Sequence, residues 1–225
     1  MSEKTVRVIK VTGKSKISVK PDTVRLLITQ TDIKKVYEDA VKESVDQKNA
    51  LTEALQKQGF KKADLKTINF NVNTEYESYQ DKSNVWKQRF KGYRFNHSMK
   101  LEFTVKSEKL GTVLQALTKS KGNPEFTIQY TIANTEKAKN ELLKKAVEDS
   151  RAKAEVLAKA SGVTLGDIRA IDYSFGESEF VVRPLDGPML RNCLATAKAD
   201  ASYAPDIEPE DIDVTDTVTI VWEIK

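Results

Sequence analysis

Only one cysteine, Cys193, and one histidine, His97, occur in 225 residues. A lone cysteine closes no internal disulfide, and the pair cannot supply the usual Cys/His zinc cluster. The carboxylates are scattered without the spacing of a calcium loop. Gly162-x-x-x-Gly166 lacks the lysine and the length of a phosphate loop, and no G-x-G-x-x-G occurs. No apolar run approaches membrane-spanning length. Neither charge sign dominates, with 37 basic against 33 acidic residues and a net charge of +4, so no specific nucleic-acid partner is expected. Residues 1–10 alternate like a strand and carry no apolar leader core, which predicts a cytoplasmic location for the chain as given. The alternative is periplasmic or secreted, if a leader has been removed.

Six prolines and nine glycines also leave few interruptions, and long regular elements are expected. With 39% apolar and 31% charged residues the chain reads as globular, long enough for one large domain or two intimate halves. A strand covers Thr5–Val19 with a bend or bulge predicted at Gly13. After Pro21-Asp22, Val24, Leu26 and Ile28 alternate in a strand expected to pair antiparallel with the first. Asp32 is the expected cap of a helix over Ile33–Gln58, with Tyr37, Val41, Leu51 and Leu55 on its apolar stripe and Gly59 at its end. A long hairpin follows. Ile68, Phe70, Val72, Thr74 and Tyr76 share one face of its first strand, and Gln80–Asn84 make the turn. Tyr93, Phe95, His97, Met99, Leu101 and Phe103 share a face of its return strand. At about 3.4 Å per residue the hairpin outruns an ordinary strand of five or six residues, so its end around Tyr76–Phe90 should project.

Ser107 is the expected cap of a short helix, Glu108–Leu117, and Phe126, Ile128, Tyr130 and Ile132 alternate in the next strand. Asn134 or Thr135 then caps a long helix over Glu136–Ser161 that packs through Ala138, Leu142, Ala146, Ala154 and Leu157. Ile168–Phe175 is extended, Gly176–Glu210 has no clean period, and Val214, Val218, Ile220 and Trp222 mark a last strand. The segment Gly59–Phe70 aligns with Gly162–Tyr173 at a constant offset, 162 − 59 = 103. Two similar strand–helix–strand units, about 22–76 and 125–175, are therefore predicted, with a hairpin extension at about 68–105. The fold class is α+β: a mixed, largely antiparallel sheet layered with two long helices, a short helix and a long projecting β-hairpin.

Candidate chemistry is thin. His97 is in phase with Phe95, Met99 and Leu101 and reads as a hydrogen-bonded histidine of an apolar sheet face. Cys193 has Arg191 nearby in sequence, which would lower a thiol pKa if they meet, but no second histidine could serve it. Glu177 and Glu179 could form an acidic pair, while Asp64 and Asp167 read as turn or capping residues. Lys61-Lys62 reads as a solvated helix end. Lys91-Gly92-Tyr93-Arg94-Phe95 has the flavour of an RNA-binding strand, but its aromatics belong with the core pattern. No catalytic, cofactor or metal residues are predicted. Tyr76, Tyr79, Trp86 and Phe90, an exposed aromatic ribbon, form the predicted oligomer interface.

Several pieces in order resemble the SIMPL-domain (DUF541) family over essentially the whole chain. They are Gly13 with Pro21-Asp22, Gly59-Phe60 with Asp64-Leu65-x-Thr67, Gly92-Tyr93, Leu110-Gly111, and Ala146-Val147-x-Asp149-x-Arg151-x-Lys153-Ala154-x-x-Leu157-Ala158 through Gly162-x-x-Leu165-Gly166. Pro205-x-Ile207-x-Pro209-Glu210 precedes the final strand. The resemblance implies one α+β domain over 1–225, homo-oligomerisation, which in a relative includes ring- or channel-like assemblies, a secreted or periplasmic setting and loose links to oxidative stress. It implies no catalytic residues. Lys119-Ser120-Lys121-Gly122 is more basic than the turn usual in that family, and the missing leader departs from its periplasmic members. The function expected is a non-enzymatic, self-assembling interaction or stress-related scaffold. A small-ligand-binding module is the alternative, and an enzyme the third reading.

Overall fold

The computed structural model describes residues 7–173, 180–182 and 209–225. Cys193, Arg191, Glu177, Glu179 and most of the Gly176–Glu210 segment lie outside the described residues. The chain forms two compact units, one holding 22–130 and the other 7–21, 131–173, 180–182 and 210–225.

In the first unit, β2 (Thr23–Lys34), α1 (Tyr37–Gln56), a 3-10 turn (Lys62–Asp64), β3 (Leu65–Gln80), β4 (Trp86–Thr104), α2 (Ser107–Thr118) and β5 (Glu125–Thr131) follow in order. The sheet runs β3-β4-β2-β5, so the last strand of the hairpin lies between β2 and β3. Both pairings of β4 are antiparallel, which makes β2 and β3 parallel, as the intervening helix requires. Period-two alternation puts Val24, Leu26 and Ile28 of β2 beside Met99, Leu101 and Phe103 of β4. Leu51 and Leu55 of α1 and Leu110, Val113, Leu114 and Leu117 of α2 close over them.

The second unit contains β1 (Val8–Val19), α3 (Thr135–Ala160), β6 (Leu165–Asp172), β7 (Val181–Val182) and β8 (Ile212–Ile224). Its sheet runs β1-β8-β6, with both pairings antiparallel. Here too the last strand sits between two parallel ones, with α3 packed on the sheet. Asn134 caps α3, its Oδ1 accepting the Lys137 amide at 3.0 Å. Ala138, Leu142, Ala146, Ser150, Ala154 and Ala158 line its buried side, whereas Leu157 is exposed.

Several expectations change. β1 does not pair with β2. Its partner is β8, from Val8↔Glu223 to Val19↔Ile212. Gly13 makes no bulge either: the ladder passes through Gly13↔Val218 without a shift. A Cβ there would stand 2.0 Å from the Ala146 carbonyl oxygen and 2.6 Å from the Ser150 amide nitrogen, so glycine is required by the close approach of α3. β2 runs on to Lys34, because its alternation continues through Gln30 and its ladder with β4 reaches Lys34↔Tyr93. Asp32 therefore lies in the strand, and α1 starts at Tyr37 with Val36 at the cap position. Lys106, not Ser107, is at the cap position of α2.

The repeat is visible at the helix ends. Gly59 and Gly162 both have positive φ, +86° and +68°. The Phe60 amide donates to the Leu55 carbonyl and the Val163 amide to the Ala158 carbonyl, five residues back in each case. Both pairs differ by the same offset, 158 − 55 = 103 and 163 − 60 = 103. The strands before the helices are not equivalent, since β5 and β6 belong to different sheets and β1 takes the place beside β8.

Replacing Gly13 by alanine is expected to destabilise the protein by about 2 kcal/mol or more, since the added methyl meets helix backbone and not a flexible side chain. Chemical denaturation of Gly13→Ala checks this, and an unchanged midpoint would contradict the packing.

Candidate functional site

Two features gather the side chains singled out by the sequence: a buried polar node around His97, and the outer part of the β3–β4 hairpin.

His97 is 6% exposed on the core face of β4. Ser44 of α1 stands 3.2 Å from Nδ1, and Thr67 of β3 stands 2.9 Å from Nε2. The Phe70 ring meets the imidazole edge-on at 5.2 Å. The histidine thus links helix, central strand and edge strand, with hydroxyls that can donate or accept as either neutral tautomer demands. Burial, with a smaller contribution from the Lys48 charge, holds its pKa below the ordinary 6.5. Beside it the α1 stripe turns polar at Ser44 and Gln47, both buried. The Gln30 Nε2 donates to the Gln47 carbonyl at 3.3 Å, and the Gln47 Nε2 donates to Glu43 at 3.0 Å. Both amide oxygens, Gln30 Oε1 and Gln47 Oε1, are buried without a protein hydrogen-bond partner. Asp64 has a local role: its Oδ2 accepts the Lys61 amide at 2.8 Å. Among the described residues no three His, Cys, Asp or Glu side chains are placed to hold a metal ion.

The hairpin continues past the end of β2. Pairing of β2 with β4 stops at Tyr93, while β3 and β4 remain paired to Gln80↔Trp86. The segment beyond is a two-stranded arm. Opposed residues share a face, so Tyr76↔Phe90 and Gln80↔Trp86 lie on one side, with Glu77↔Arg89 and Tyr79↔Lys87 on the other. A register shift at Glu75/Tyr76 inserts Lys91 as an extra residue and returns Phe90 to the face of Tyr93. Gly92 beside it is needed because a Cβ would fall 2.5 Å from the Lys34 carbonyl oxygen. Aromatic rings then run edge-on from the start of α1 outward: Tyr37–Tyr93 at 5.6 Å, Tyr93–Phe90 at 5.2 Å and Phe90–Tyr76 at 6.0 Å. The first turn of α1 is where cover for this face ends. Beyond it Tyr76, Phe90 and Trp86 are exposed, as are Ile68 and Phe70 on the edge strand.

The four aromatic residues expected to act together are therefore divided. Tyr76, Trp86 and Phe90 share the face continuous with the core. Tyr79 lies opposite, with the Arg89 guanidinium 5.4 Å from its ring centre. The bulge at Lys91 was not legible in simple alternation, and Gly92 was its signal.

With one histidine in the chain, its NMR titration is unambiguous. The imidazole resonance is expected to titrate with a midpoint below 6.5. The unfolded chain then binds the proton more readily than the folded one. The stability from neutral His97 is thus complete above about 6.5 and declines as pH falls from there through the folded pKa. A midpoint at or above 6.5 would contradict the buried placement.

Comparison with known proteins places this geometry in a family. The family model described as SIMPL, protein of unknown function (DUF541), matches residues 9–222. The 26 kDa periplasmic immunogenic protein of Brucella melitensis is 28% identical over 224 residues, covering 96% of this chain and 84% of the relative. The protein of the same name from Brucella abortus shows the same identity and coverage. Uncharacterized protein YggE of Edwardsiella ictaluri is 24% identical over 215 residues, 95% of this chain and 85% of the relative. The periplasmic relatives overturn the cytoplasmic expectation, which rested on the composition of the first ten residues. Among the described residues no helix is long and apolar enough to cross a membrane. With the match running from residue 9 to residue 222, the chain belongs to the SIMPL (DUF541) family.

Proposed function

We propose that the chain is a non-enzymatic periplasmic protein that acts as a homo-oligomer, an interaction scaffold of the bacterial envelope. The periplasmic setting is taken from the named relatives. The observation that carries the reading is the exposed core-facing side of the hairpin, with Phe70 and Tyr76 on β3, an outer strand of its sheet, and Phe90 opposite Tyr76 on β4. An open strand edge offers unpaired amides and carbonyls to another chain, and β3 has no proline to block it. Each aromatic ring buried against a second copy contributes on the order of 1–2 kcal/mol. The two occupied ring nitrogens of His97 favour a structural histidine over a catalytic one.

A second reading, a module for a small ligand, is favoured by the two partnerless buried amide oxygens of Gln30 and Gln47. Such a site suits a compact hydrogen-bond donor. Native mass spectrometry of the purified protein showing a stoichiometric adduct, lost in Gln47→Met, would support that reading over assembly alone.

Light scattering over a concentration series tests the main reading. The wild-type protein is expected to exceed monomer mass, and Tyr76→Ser with Phe90→Ser to weaken association about tenfold or more. A monomer at every concentration rules the assembly out.

A further inference from the structure

The assembly surface leaves the end of the arm unexplained. Val85 is 53% exposed and Trp86 67% exposed, beside a turn that is tightly built. Asp81 Oδ1 accepts the amides of Ser83 at 2.8 Å and Val85 at 3.1 Å, and the Asp81 amide donates to the Val85 carbonyl at 3.0 Å. The Lys87 ammonium, first, and those two amides hold the Asp81 carboxyl below its usual range. The apolar tip is therefore displayed by an ordered scaffold.

The apolar groups lie on both sides of it. Trp86 is opposite Gln80 on one face, and Tyr79 is opposite Lys87 on the other, with Val85 at the turn between them. A protein partner pressed against the core-continuous face would cover Trp86 and leave Tyr79 in water. A medium that surrounds the tip would cover both. Tryptophan and tyrosine beside lysine form the side-chain mixture favoured at the boundary between lipid headgroups and acyl chains.

Charge favours the same occupant. From Tyr76 to Lys91 there are four basic residues, Lys82, Lys87, Arg89 and Lys91, and two acidic ones, Glu77 and Asp81. Both acids are paired within the arm, Asp81 with Lys87 and Glu77 with Arg89. Of the two cations left over, Lys91 lies at the base of the arm and Lys82 lies at the turn, where it is left to meet an anionic surface.

We propose that the tip of the arm, Tyr79, Val85 and Trp86 with Lys82, docks end-on into the headgroup region of an anionic phospholipid bilayer. The contact is peripheral and reversible, since one small tip buries little apolar area. Several tips on one assembly would strengthen it through effective concentration. The contact does not require assembly, because the tip residues differ from Phe70, Tyr76 and Phe90.

Vesicle sedimentation combined with tryptophan emission tests this. Trp222 is 7% exposed, so a change in emission reports chiefly on Trp86. With vesicles of phosphatidylglycerol and phosphatidylethanolamine the expected result is a blue shift and a bound fraction that falls as salt is raised. Phosphatidylcholine vesicles should bind at least fivefold less. Val85→Ser with Trp86→Ser should lower binding at least fivefold, and Lys82→Glu should reduce the preference for anionic vesicles. Circular dichroism and the Trp222 emission confirm that these turn variants fold. Equal binding to both vesicle types, no binding, or unchanged binding by the tip variants overturns the proposal. So does a Trp86 blue shift that grows with protein concentration without vesicles, which would show a second copy covering the tip.

Discussion

The alternation of β4 is the constraint on which the first unit depends. From Tyr93 to Phe103 every second side chain points to the side that α1 and α2 cover, and Phe95, Met99, Leu101 and Phe103 are buried there. β4 also holds β2 and β3 apart and fixes both registers. A strand cannot stop alternating where its covering helix ends. Extended backward from Tyr93, with the parity restored by the bulge at Lys91, the same pattern places Phe90 and Trp86 on the core-facing side where cover is missing. Core and exposed arm are one physical feature, divided by where α1 begins.

Each unit solves the same problem with the same arrangement. A strand, a long helix and a second strand leave two parallel strands, and a later strand enters between them antiparallel to both. In one unit the inserted strand is β4, the adjacent arm of a hairpin. In the other it is β8, far along the chain from β1 and separated from β6 by about forty residues. The helices approach their sheets differently. α3 comes close enough that Gly13 must lack a side chain, and its buried side is mostly alanine. α1 carries leucines at one end of its stripe and the polar Ser44 and Gln47 further forward, over His97 and Gln30.

This polar interruption explains what could be read of the candidate site. The core phase of His97 was visible in Phe95, Met99 and Leu101, two and four residues away. Its partners were not. Thr67 stood out only as part of the motif that carries the family resemblance, and Ser44 did not stand out, because hydrogen bonding across elements leaves no periodic trace in either one. The exposed aromatic ribbon was equally visible as composition. Its division into a core-continuous face and an opposite face depended on one inserted residue.

The α+β class, most strand faces, the two helix-ending glycines, the 103-residue repeat and the family are all legible in the order of residues alone. The faces and helix ends are local matters of period, cap and turn, set by chain geometry over a few residues, and the repeat and the family follow from the order in which such local signals recur along the chain. That β1 joins β8 and not β2, that β2 extends through Asp32, and that Gly13 receives a helix backbone emerge only from the folded arrangement. Alternation states which side of a strand is apolar, but not which strand lies beside it. That choice belongs to ladder hydrogen bonds and packing between residues as distant as Val8 and Glu223, whose energies no local window contains.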